Sequence, residues 1–203
     1  MARRREVSDA QIIQAARKVF LERGTQAPVT AVASELGVSS ATLFVRMGSK
    51  RRLILAALWL PDPPVLEMLR KGFRPTAPMD RQLRGIFYEL AVYAEAAIPA
   101  TFTLYAAGLR AKPGEDFSDV APHQLRQGLS KWLGQAVRCG AIVCDPRVVA
   151  DLTIGSLEAR AMHAFLARRP YSRRETRRFI HGMVAAIHGS PLPLRDSHQH
   201  ADR

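Results

Sequence analysis

Apolar residues recur at helical intervals along almost the whole chain, and no stretch alternates apolar with polar as a half-buried strand does. Ile12, Ala16, Val19 and Phe20 form the first such stripe, closed by Gly24, and Ser8 to Gln11 ahead of it has the spacing of a capping box. After the loop TQAP, where Pro28 suits a helix start, Val29, Val32, Ala33 and Leu36 make a second stripe barely two turns long, with Gly37 as its left-handed end. Ser39 can cap a third helix to about Val45 with Leu43 inward; Gly48-Ser49 ends it and caps a fourth over Lys50 to Leu58. Pro61, Pro63 and Pro64 stop the fourth.

The remainder also reads as helical. VLEMLRKGF is a short helix, and DRQLRGIFYELAVYAEAA is a long one that Pro99 is expected to end or kink, with TFTLYAAGLRA following. KPGEDFSDVAP carries loop signals and precedes a seventh helix, HQLRQGLSKWLGQAVRC. Asp145-Pro146 starts a long eighth helix with Asp145 as cap, and RRPYS separates it from a ninth over about 173–187. The last residues, GSPLPLRDSHQHADR, read as a disordered tail. The expected fold class is therefore all-α, with about nine helices.

At 203 residues the chain can hold one domain with a full core or a small domain carried on a larger one. No apolar run reaches the roughly 18 residues of a membrane span, so no membrane partner is expected. The start, MARRREVSDAQ, is basic but runs into a polar helix start, so we expect no secretory signal and a cytoplasmic protein. Cys139 and Cys144 have four residues between them and no further ligand cluster nearby, so they read as reduced packing residues. Lys and Arg number 30 against 18 Asp and Glu, a formal charge of +12, which points to a polyanionic partner. The cations crowd the first quarter: Arg3, Arg4, Arg5, Arg17, Lys18, Arg23, Arg46, Lys50, Arg51 and Arg52.

Two short helices joined at Gly37 have the layout of a helix-turn-helix, which lays its second helix in the DNA major groove. Ala33 would be small because the third helix crosses close over it, and Gly37 would accept a positive φ. With Val38 and Leu43 inward, the outward residues are Ser40, Ala41, Thr42 and Arg46, and Lys50 would reach a phosphate. A plain helical hairpin with a solvated charged face is the bland reading of the same stretch.

The order of features from Ile12 to Leu53 resembles the N-terminal domain of the tetracycline-repressor (TetR) family of bacterial regulators. The resemblance is carried by Ile12, Ala15-Ala16, Phe20, Gly24, Val32-Ala33, Leu36-Gly37-Val38-Ser39, Thr42-Leu43-Phe44, Ser49-Lys50 and Leu53, and covers about the first quarter of the chain. Two positions depart from it. Pro28 stands where a threonine is common at the start of helix two, and Phe44 where a tyrosine is most frequent, so a capping hydroxyl and a phenolic phosphate contact are missing.

The resemblance implies a homodimeric repressor, released from a palindromic duplex operator by a small-molecule effector, with no cofactor, no metal and no enzymatic activity. The DNA-binding residues would be Arg3, Arg4, Arg5, Thr30, Ser39, Ser40, Ala41, Thr42, Phe44, Arg46 and Lys50. The last two long helices would dimerise through Leu152, Gly155, Ala159, Met162 and Leu166 on one and Phe179, Ile180, Met183, Val184 and Ile187 on the other. Phe87, Tyr88, Tyr93, Phe102, Tyr105, Trp132 and His163 are the candidates for a ligand pocket. The domains would be residues 1–50, 51–190 and a tail at 191–203. A regulator or architectural protein without a ligand shares the N-terminal features. Catalysis finds no support in the motifs: the chain has no nucleophile elbow, no phosphate-binding glycine loop and no H-E-x-x-H. His181 and His188, seven apart, and His198 and His200 in the tail read as solvated or packing residues.

Overall fold

A computed structural model describes residues 7–109 and 122–188. The arm with Arg3, Arg4 and Arg5, most of the KPGEDFSDVAP loop, and the tail with His198 and His200 lie outside the described residues. Among the described residues there are nine helices and no strand: α1 (Asp9–Arg23), α2 (Val29–Leu36), α3 (Ser40–Met47), α4 (Lys50–Leu58), α5 (Val65–Lys71), α6 (Met79–Ala106), α7 (Pro122–Arg138), α8 (Pro146–Leu166) and α9 (Arg173–Ile187). None of the described helices is long and apolar enough to cross a membrane.

Most helix starts are local devices. Ser8 and Gln11 form a reciprocal capping box on α1, as do Ser172 and Glu175 on α9. Ser39 and Ser49 each accept the N–H of the residue three positions on, opening α3 and α4, and Asp145 accepts those of Arg147 and Val148 at the start of α8. These side chains satisfy N–H groups that a helix start leaves without partners. Pro28, at the head of α2, makes no such bond.

The chain divides into two compact units. One comprises Met1–Pro63, Tyr93–Val120 and Arg160–Arg168; the other comprises Pro64–Val92, Ala121–Ala159 and Arg169–Arg203. The core of the first gathers Ile12, Ala16, Val19 and Phe20 of α1, Val32 and Ala33 of α2, Leu43 and Met47 of α3, and Ala100 and Leu104 of α6. It takes in Leu53, Ile54, Leu55, Ala57 and Leu58 of α4, which lie beyond residue 50. In the second unit Phe73 meets Trp132 edge-on at 5.4 Å, and Gln135 accepts the Phe73 N–H at 2.8 Å.

Pro99 does not end the sixth helix: α6 continues through it to Ala106. A proline inside a helix removes one backbone donor and costs about 3 kcal/mol. Buried Leu90, Ala91 and Ala94 before it, with Ala100 and Leu104 after it, hold both halves of the helix and offset that cost. The hydroxyl of Thr103 donates to the Pro99 carbonyl at 2.8 Å.

Candidate nucleic-acid interface

The turn between α2 and α3 is set by Gly37, at φ 65° and ψ 32°. Its N–H bonds to the Ser34 carbonyl at 3.3 Å, and the Val38 N–H bonds back to Ala33 at 3.1 Å. This paired closure is a Schellman motif, and it needs a left-handed residue where an L side chain is strained. Val38 then packs on the core, and Ser39 opens α3. The chain thus turns from α2 into α3 within three residues, each with its own hydrogen bond or packing contact.

Leu43 and Met47 point into the core, which turns Ala41, Phe44, Val45 and Arg46 outward, with Ser40 and Thr42 half-buried. Val45 is 86% exposed. The sequence reading did not select it, although Ala41 and Val45 lie one turn apart and opposite the buried positions. Ser39 and Thr42 share a hydroxyl contact at 2.9 Å besides the cap bond. Phe44 keeps 44% of its surface exposed, and Thr30 is exposed on α2.

The cations of the first quarter divide by what holds them. Arg17 turns away from solvent: its Nε donates to the Ala57 carbonyl at 2.6 Å and its Nη2 to Trp59 at 3.2 Å. It thereby closes the carbonyl end of α4, and burial pushes its pKa down. Lys18 pairs with Glu35 at 2.9 Å, and that hydrogen bond, with the Glu35 charge, raises its pKa. Arg46 pairs with Asp9 at 2.7 Å, and its Nη1 donates to the Val7 carbonyl. Lys50 donates to the Gln26 carbonyl at 3.2 Å. Among the described residues, Arg23 and Arg52 have no acidic partner. The cationic surface is therefore narrower than the residue count of the first quarter implies, because Arg17 is spent on holding α1 to α4.

Of the residues read as pocket candidates, Phe87 and Trp132 are fully buried side chains of the second unit. Tyr93 is half-buried and His163 exposed. Phe102 and Tyr105 are open to solvent, and Phe102 meets Phe165 at 5.7 Å. Tyr88 lines a groove of about 630 Å³ beside α5, α6 and α9. On α8, Leu152 and Leu166 are 65% and 67% exposed, Ala159 is exposed, and Gly155 and Met162 are half-buried. Exposed Val148 extends this row to a spacing of four, three, four, three and four. On α9, Ile180 and Val184 are buried within the chain, while Phe179, Met183 and Ile187 are half-buried.

Residues 12–57 match the model of the bacterial regulatory proteins of the tetR family. No curated protein matches the chain. Solved structures share its fold at low identity. The TetR family transcriptional regulator PfmR from Thermus thermophilus is 21% identical with a TM-score of 0.63, over 88% of this chain and 97% of that one. A TetR transcriptional regulator from Streptomyces coelicolor is 22% identical at 0.56, over 89% and 98%. The regulator FadR from Bacillus subtilis, solved in complex with stearoyl-CoA, is 13% identical at 0.56, over 91% and 100%. Residues 12–57 thus carry the N-terminal domain of the bacterial regulatory proteins of the tetR family, and the described helices share the fold of these solved regulators.

Proposed function

We propose that the protein is a homodimeric transcriptional repressor that binds a palindromic duplex operator through α3 and is released by a small-molecule ligand. The observation that carries the reading is the outward face of α3. Ser40, Ala41, Thr42 and Val45 are short enough for the helix to enter a major groove, and Lys50 stands just beyond it. Val45 suits contact with a thymine methyl group. Thr30 offers a hydroxyl near the start of α2, where Pro28 has none. Arg3, Arg4 and Arg5 would add phosphate contacts from the arm.

Two subunits present two reading helices, and the α8 row from Val148 to Leu166 supports such a pairing, because its spacing is that of helices packed along an apolar seam. A side chain at Gly155 would meet nothing within 4 Å in the chain itself. Gly155→Arg is therefore expected to yield a folded monomer that binds DNA poorly. A dimeric Gly155→Arg protein with full affinity rules out this face.

The DNA reading is tested by anisotropy titration of a protected palindromic duplex over a range of salt. If Arg46 and Lys50 each neutralise one phosphate in both subunits, log affinity should fall with log salt at a slope of about −4 or steeper. Affinity that hardly changes with salt, or the lack of any preferred duplex, counts against it. FadR carries stearoyl-CoA, which supports the expectation of an effector for this chain, acting through the residues beyond the DNA-binding domain.

A further inference from the structure

The second unit concentrates positive charge where helix electrostatics opposes it. Arg173, Arg174, Arg177 and Arg178 occupy the first half of α9. Cations at a helix N-terminus face the positive end of the dipole, and Arg173–Arg177 and Arg174–Arg178 are like-charged neighbours one turn apart. The only acid of the helix, Glu175, is committed elsewhere: it takes the Ser172 N–H at 2.7 Å and pairs with Arg169 at 3.0 Å. Among the described residues these four arginines have no acidic partner, and all four are exposed. A local penalty with no local compensation is expected where a site requires it.

The 630 Å³ groove lies against these arginines, and its volume is within the range of small-molecule sites, about 300–1,000 Å³. Met68 of α5, Gly85 and Tyr88 of α6 and Ile180 of α9 supply its apolar lining, while Arg177, Arg178 and His181 stand along α9. Of the two charged residues that α6 contributes to the lining, Arg84 already pairs with Asp80 at 3.2 Å, and Glu89 is the only carboxylate there. We infer that this groove binds a soluble single-chain amphiphile with an anionic head, the chain lying along Met68, Gly85, Tyr88 and Ile180 and the head held by Arg177 and Arg178. A polyanion such as DNA would use the arginines but has no need of the apolar lining.

As a binding site the groove stands apart from the DNA reading; as the effector site it rests on that reading. The full chain is titrated calorimetrically with dodecanoate, with dodecanol as the same chain without charge, and with acetate as the head without chain. Dodecanoate should bind well above the other two. Arg177→Gln with Arg178→Gln should weaken it by about tenfold or more, the loss of at least one charge-assisted contact. Gly85→Leu should weaken dodecanoate by filling the floor, and circular dichroism should show both variants folded. Dodecanoate affinity unchanged in both folded variants overturns the site, as does equal affinity for dodecanol. Sedimentation with phosphatidylglycerol vesicles, lost in the arginine variant and without dodecanoate binding, would reassign the arginines to a membrane surface and overturn it too. Operator affinity is measured separately without ligand and should be unaffected by these substitutions. Its absence alongside intact dodecanoate binding would defeat the DNA reading and leave the groove standing.

Discussion

Arg46 cannot reach a DNA phosphate without giving up Asp9, so Asp9 should act as a built-in competitor for the operator. The two side chains are 34% and 60% exposed and 2.7 Å apart. Pairs that open to solvent contribute about 0.2–1 kcal/mol. A hydrogen bond to a charged group contributes about 1.5–3 kcal/mol, so the net value of Arg46 to DNA binding should be about 0.5–3 kcal/mol per subunit after the exchange. Asp9→Asn removes the competitor. In a dimer it should tighten binding by about 0.4–2 kcal/mol, or roughly 2- to 30-fold, for operator and unrelated duplex alike. The decisive assay is a double-mutant cycle by anisotropy titration at low salt, with Asp9→Asn, Arg46→Ala and both together. The gain from Asp9→Asn should largely vanish in the Arg46→Ala background. A gain of the same size in both backgrounds would mean that Asp9 acts only through its field on the duplex. Weaker binding by Asp9→Asn alone would mean that Asp9 positions Arg46, and the competitor argument would fail.

Arg17→Ala should destabilise the fold by about 1.5–3 kcal/mol in urea denaturation, because the carbonyls of Ala57 and Trp59 at the end of α4 lose a charged donor; a midpoint within error of wild type would show that water replaces it freely. Gly37→Ala meets no atom within 4 Å but must adopt φ 65°, so its cost should be the backbone strain alone, roughly 1–2 kcal/mol. The Ser172 backbone N–H, then its hydroxyl and Arg169, hold the Glu175 pKa down. Its contribution to stability is therefore complete above the ordinary carboxylate range and is lost as pH falls through the lowered value. The melting-temperature gap between wild type and Glu175→Gln should be steady around neutrality and close as acidification takes the pH below the ordinary carboxylate range; a gap that stays constant on acidification contradicts this.

The residues that could be read one at a time are those whose partners lie within a turn of helix. Ser8, Ser39, Ser49 and Asp145 cap the helices they precede, and Gly37 takes the left-handed conformation its place between two short stripes requires. Such features depend on hydrogen bonds spanning three or four residues, so sequence spacing is enough to specify them. The order of four short helices ending in Leu53 to Leu58, and the inward direction of Leu43, follow from the same periodicity. What only the tertiary structure decided are the partners distant in the chain. Arg17 and Arg46 look alike in a count of cations. Yet one is bonded to a carbonyl 40 residues away and the other to Asp9 and to a carbonyl 39 residues away. Pro99 reads as a break because its local cost is visible, whereas the burial that carries α6 through it comes from other helices. The groove beside α9 is of the same kind: the arginines stand in the sequence, but the apolar lining beside them is assembled from α5 and α6 only when the chain folds.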